Sequence, residues 1–255
     1  MLSLKKLACF TVLSASVVTS VAYAGSAHAV KMTYSAGAYR NQNVKNEGAF
    51  SENVNNKNFV TIDFNGITDN SFKGNDLVQY TFSGGSYSTT PGSTGIFNDQ
   101  WAPASVKGEV NQSNYLAVFD GNSVSIKAKN GGVFNYFGIN AGALSGGNTF
   151  ELLKGGTVVG SWDYIALNAV AKVVGTNQNG EKNGFYEFLS QGFDDNFDEI
   201  RLSQVGGGGF ESDNHTFQIG SGAFQSTPEP GVTLGMLAVG SIFLYQRNKK
   251  LQNVK

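Results

Sequence analysis

Cysteine is all but missing from this sequence. Cys9 is the single one among 255 residues, and it lies in the N-terminal segment. Beyond it the chain can form no disulfide, supply no thiol nucleophile and build no cysteine zinc site. Histidine is nearly as scarce, with His28 and His215 only, so a catalytic triad has almost no choice of base. Proline occurs four times, and charged residues make up 15%, against about 25% in an average soluble domain. No convincing amphipathic helical pattern is present. Glycine takes their place, with 33 residues, about twice the usual share of ~7%. Such a composition suits short strands joined by tight Gly- and Asn-rich turns.

The formal net charge of -1 hides an asymmetry. Six of the 18 basic residues (Lys5, Lys6, Arg247, Lys249, Lys250 and Lys255) sit in the terminal segments. That leaves 12 basic against 18 acidic residues before Pro228, a central domain near -6. An acidic domain with scattered basic residues argues against nucleic acid or an anionic membrane as its partner.

Residues 1–29 read as a secretory signal peptide. Lys5 and Lys6 form the positive start, residues 7–21 are mostly apolar or small, and Ala22-Tyr23-Ala24 and Ala27-His28-Ala29 are alternative small-x-small cleavage sites. Cleavage after Ala29 is the preferred reading. The other end, "TPEPGVTLGMLAVGSIFLYQRNKK", sets Pro228-Glu229-Pro230 before an apolar run and a positive cluster of Arg247, Lys249 and Lys250. As a helix, residues 231–245 would be about 22 Å long, short of the ~30 Å of a bilayer core. The positive cluster would hold its end in the cytoplasm.

A Pro-Glu-Pro motif, a short apolar helix and a basic end, paired with a signal peptide, resemble the PEP-CTERM sorting signal. The resemblance covers about the last 28 residues. It implies handling by the secretion machinery, a transient hold in the inner membrane and processing by an exosortase near the motif. It implies delivery to the cell surface or extracellular matrix of a Gram-negative-type bacterium that makes exopolysaccharide. An ordinary membrane anchor would explain the apolar run but not the Pro-Glu-Pro.

Between the ends, residues 30–58 are rich in Asn, Gly and Ser and read as an irregular N-terminal arm or first strand. From residue 59 the pattern has period two: Val60, Ile62 and Phe64 share one face, as do Val78, Tyr80 and Phe82. Asp120-Gly121-Asn122 and Gly155-Gly156 mark tight turns. The stretch 199–220 reads as a closing hairpin around Gly206–Gly209, with Ile200, Leu202 and Val205 meeting Phe210, Phe217 and Ile219. The run "DYIALNAVAKVVG" fits a helix, a strand or a loop. The expected fold is all-β: an antiparallel β-sandwich, jelly-roll-like, over residues 59–226, followed by the sorting tail 227–255 with its single membrane helix.

Chemistry is sparse. His215 suits a structural hydrogen-bonding role. The acidic run 194–199 lies within one turn and does not set two carboxylates across a cleft, as a glycosidase requires. No Lys-Ser/Thr follows Gly206–Gly209, so no phosphate loop is formed. The expectation is a non-enzymatic protein. The early "TIDFNG" strand and the late "FDEIRLSQVGGGGFESDNHTF" stretch also resemble carbohydrate-binding jelly rolls. That likeness implies a structural Ca²⁺ on Asp63, Glu211 and Asp213, with Asp120 as a further candidate. Turn capping and a solvated acidic face account for the same carboxylates. Tyr87, Trp101 and Tyr115 lie at loops or strand ends, where an aromatic ring packs inward or stacks on a sugar. Two functions follow: a structural or adhesive surface protein, or a calcium-stabilised carbohydrate-binding module acting on exopolysaccharide.

Overall fold

The computed structural model describes residues 30–67, 72–83 and 94–225. The signal segment, Tyr87, and the tail with Pro228, Glu229, Pro230, Arg247, Lys249 and Lys250 lie outside the described residues. So does the apolar stretch 231–245. Among the described residues, no helix is long and apolar enough to cross a membrane.

The chain runs through β1 (Lys31–Ser35), β2 (Val60–Ile62), β3 (Val78–Phe82), β4 (Gly95–Phe97), β5 (Tyr115–Phe119), β6 (Asn122–Ala128) and β7 (Phe134–Gly142). It continues through β8 (Asn148–Lys154), β9 (Thr157–Asp163), helix α1 (Tyr164–Val170), β10 (Val173–Val174), β11 (Lys182–Leu189), β12 (Glu199–Gln204) and β13 (Gly209–Ile219). The strands form two sheets. The larger has the order β1-β11-β7-β13-β5-β4, with β2 beside β13 and β10 beside β11. The smaller has the order β3-β6-β12-β8-β9. Every pairing is antiparallel. The chain is the antiparallel β-sandwich that its period-two pattern predicts.

One apolar core lies between the layers. Phe137, Phe188, Phe210 and Phe217 from the larger sheet meet Val124, Ile126, Phe150, Leu152, Ile200 and Leu202 from the smaller. Phe150 sits edge-on to Phe210, with 4.9 Å between ring centroids. Each such fully buried side chain stabilises the fold by about 1.5–3 kcal/mol relative to exposure. β3 shows the expected alternation, with Val78, Tyr80 and Phe82 buried and Gln79 and Thr81 exposed. β7 does not alternate, and all nine of its residues are buried. The reason is a second cover on its outer face. Ser51 Oγ lies 2.7 Å from Tyr136 Oη, the Phe59 ring packs edge-on to Tyr136, and Asn140 Nδ2 donates to the carbonyls of Pro103 and Ala104.

Local signals account for two elements. The β8–β9 turn has Gly155 and Gly156 at φ 55° and 81°, the two positive values that a two-residue type I′ hairpin requires. The ambiguous run after residue 163 is a helix. The Asp163 side chain accepts from Ala166 N at 2.9 Å and caps it. Ala166, Leu167 and Val170 then bury one face.

Two expectations are corrected. Of the two readings of residues 30–58, the first strand holds for Lys31–Ser35, and the rest is irregular but packed against the sandwich. β1 pairs along its length with β11, and Ala49, Phe50 and Ser51 are buried, so the sandwich starts at residue 30. Val30, Met32 and Tyr34 from its start join the main core, while Ser51 and Phe59 cover the outer face of β7 at Tyr136. Nor is 199–220 a hairpin. β12 belongs to the smaller sheet and β13 to the larger, so Gly206–Gly209 carries the chain across the sandwich. Val205 and Ile219 stay 68% and 37% exposed. A period-two pattern says which face of a strand is apolar. It does not say which strand lies beside it.

Candidate functional site

β13 and β5 are neighbours, and Glu211 lies opposite Ala117. Tyr115 and Phe119, two residues to either side of Ala117, therefore stand on the same outer face as Glu211. Tyr115, Ala117 and Ala102 form a small second apolar cluster there, with Trp101 and Phe119 packed against it. Trp101 is brought in by the loop after β4. Asp99 Oδ1 accepts from the Trp101 backbone N–H at 2.9 Å and from Tyr115 Oη at 2.7 Å. Gln178 Nε2 donates to the carbonyls of Trp101 and Ala102, which ties that loop to the turn before β11.

The result is a cleft of about 230 Å³. Asp99, Glu181 and Glu211 line it together with Trp101, Tyr115 and Phe119, and Ser145, Gly208 and Gly209 complete its rim. Asp99 is exposed, Trp101 and Glu181 are half-buried, and Glu211 is only 6% exposed. Burial pushes the Glu211 carboxyl up to about 8; its own backbone N–H opposes the shift, and the charges of Glu181 and Asp99 add to it. Burial also raises Glu181. It raises the Tyr115 phenol too, with Asp99 beside it adding to the effect. The cleft thus holds aromatic surface, one neutral buried carboxyl and two further acids.

Trp101, Tyr115 and Glu211, singled out in the sequence, come together here. The other carboxylates do not join them. Asp63 pairs with Arg40. Asp120 accepts from Gly206 N at 2.7 Å, and backbone N–H groups hold its carboxyl below the usual range. Asp213 is sealed beneath the outer cover. Its Oδ2 accepts from Asn111 Nδ2 at 3.0 Å and lies 2.9 Å from Ser113 Oγ, and its Oδ1 accepts from Asn214 N. Burial pushes Asp213 up to about 8 despite these bonds. Among the described residues, no three His, Cys, Asp or Glu side chains are grouped to hold a metal ion.

His215 lies in the core. Its Nδ1 is 2.8 Å from Tyr80 Oη and its Nε2 is 3.0 Å from Ser212 Oγ. Burial lowers its pKa to about 3, so the ring is neutral. Ser212 and His215 are both fully buried, and the pair organises the core.

Asp99, Phe119 and Glu181 were not singled out in the sequence. Asp99 carried a weak signal, an Asn-Asp pair two residues before a tryptophan. Glu181 carried none. No protein-family model matches the chain, and no curated protein matches it.

Proposed function

We propose that this is a non-enzymatic, exported protein of the bacterial surface or extracellular matrix, whose sandwich adheres to polysaccharide through the Trp101–Tyr115–Glu211 cleft. The convergence of those three side chains in one concave site carries the reading. Ligand sites combine apolar walls with a few directed polar groups, and the cleft has both. Aromatic faces suit the C–H faces of a sugar ring, and carboxyls suit its hydroxyls.

The strand order supports a jelly roll. In sequence, β5, β6, β7, β8, β9, β11, β12 and β13 build the runs β5-β13-β7-β11 and β6-β12-β8-β9. This is the interleaving of two Greek keys across two sheets. The export reading rests on the signal-like start and the Pro228-Glu229-Pro230 tail. A purely structural matrix role is the second reading. The modest size of the cleft, below the ~300–1,000 Å³ of sites for drug-sized ligands, favours it.

Binding is tested by retention of the purified protein on a panel of immobilised polysaccharides, with calcium and with chelator. Retention on one polysaccharide, lost in Trp101→Ala, is expected. Retention on none in either condition would leave the structural role alone. Export is tested by fractionation. Replacing Pro228, Glu229 and Pro230 by alanine is expected to shift the protein from the surface and medium to the membrane fraction. An unchanged distribution would remove the exosortase reading.

A further inference from the structure

The cleft has a one-sided chemistry. Three acidic side chains line it, and among the described residues no Lys, Arg or His does. It belongs to a domain with a six-charge acidic excess. Glu211 is more than nine-tenths buried and lines the cleft. Among the described residues, its carboxyl has no hydrogen-bond partner other than its own backbone N–H. A carboxyl that lines the cleft without a bond to another described side chain can take a donor from a ligand. Trp101 and Phe119, both half-buried, add aromatic surface over the buried Tyr115, and aromatic faces attract cations.

We infer that the cleft recognises a protonated amine carried on a sugar, so that its ligand is a polysaccharide with free hexosamine units. This rests on the carbohydrate reading above and narrows it. An acidic glycan would meet Asp99 and Glu181 as like charges. A neutral glycan would leave both charges unused. A divalent metal ion needs oxygen ligands closing on one point, and these carboxyls are not so grouped. An ammonium on a sugar ring can reach Glu211 while the ring rests on the aromatic wall. The groups facing Glu211 are Asp99, Glu181 and the Tyr115 phenol, and none supplies a positive charge. The ligand amine does, so Glu211 ionises as the amine binds and its proton passes to solvent.

The test is titration calorimetry on the purified protein near pH 6, with oligomers of glucosamine, of N-acetylglucosamine and of glucose. At about pH 6 the amine is charged and Glu211 is protonated. The glucosamine oligomer is expected to bind about tenfold or more tightly than the other two, the loss expected when a charge-assisted hydrogen bond is missing. Binding is expected to release close to one proton, seen as a dependence of the apparent enthalpy on buffer ionisation. Glu211→Gln is expected to lose both the preference and the proton release while keeping its melting temperature at that pH. The proton count on the unaltered protein stands whether or not the variant folds. Equal binding of the three oligomers would overturn the amine and leave the carbohydrate reading intact. Binding of calcium alone, with no response to the amine, would overturn it in favour of a metal site. Binding of no oligomer would overturn the amine, and the polysaccharide panel then decides the carbohydrate reading on its own.

Discussion

At the scale of single residues, burial sets the protonation of Glu211, Asp213 and His215, and the fold's response to pH follows. Both acids are raised to about 8 in the folded chain, from 4.5 and 3.8. Their contribution to stability is complete below the unfolded values and is lost as pH rises towards 8. Glu187, also raised by burial, acts in the same direction. His215 is lowered from 6.5 to about 3. Its contribution is present above 6.5 and lost as pH falls towards 3. Between about 6.5 and 8 the acids act nearly alone, so stability falls by on the order of 3 kcal/mol across that window. Thermal melts over a pH series are expected to place the maximum on the acid side of neutrality. Asp213→Asn should flatten the neutral limb by about half, and an unchanged limb would contradict the assignment. Tyr80→Phe removes the partner of His215 Nδ1 and should cost about 1–3 kcal/mol in a denaturant titration. The cleft was half legible at this scale. Trp101, Tyr115 and Glu211 announce themselves by residue type, whereas Glu181 reaches the cleft from a turn far along the chain, a placement that only tertiary packing decides.

At the scale of elements, local chemistry and long-range placement separate cleanly. The alternation of β3, the Gly155-Gly156 turn and the apolar face of β2 were readable because each depends on neighbours a few residues away. Helix α1 was ambiguous until its Asp163 cap and its buried Leu167 were in view. Asp163→Ala is expected to destabilise the protein by about 1 kcal/mol, as loss of a cap does. The layer change between β12 and β13 was not readable, because hairpins and crossings use the same glycines. Gly48 shows the opposite case, one residue holding an element in place. It sits at φ 77°, and a Cβ there would come within 2.9 Å of the amide nitrogens of Asn111, Asn140 and Asn214. Gly48→Ala should therefore cost more than the strain of its backbone alone, and a loss of only ~1 kcal/mol in chemical unfolding would argue that the outer cover yields easily.

At the scale of the whole molecule, neighbours in space are remote in sequence. Lys31 pairs with Leu189, and Thr61 with Thr216. Such pairing predicts slow refolding, in the range of milliseconds to seconds or beyond, and stopped-flow fluorescence of Trp101 and Trp162 would measure it. β13 has a special place in this pattern. It joins β7 on one side to β5 and β2 on the other, yet among the described residues it is the last strand to be made. A chain emerging from its N-terminus, whether from a ribosome or through a translocation channel, holds two halves of a sheet and nothing to bridge them. The pairings that close the larger sheet form only once β13 is available. A product that stops short of β13 keeps both halves open to proteases. The larger sheet is therefore closed by a strand made after both of the halves it joins.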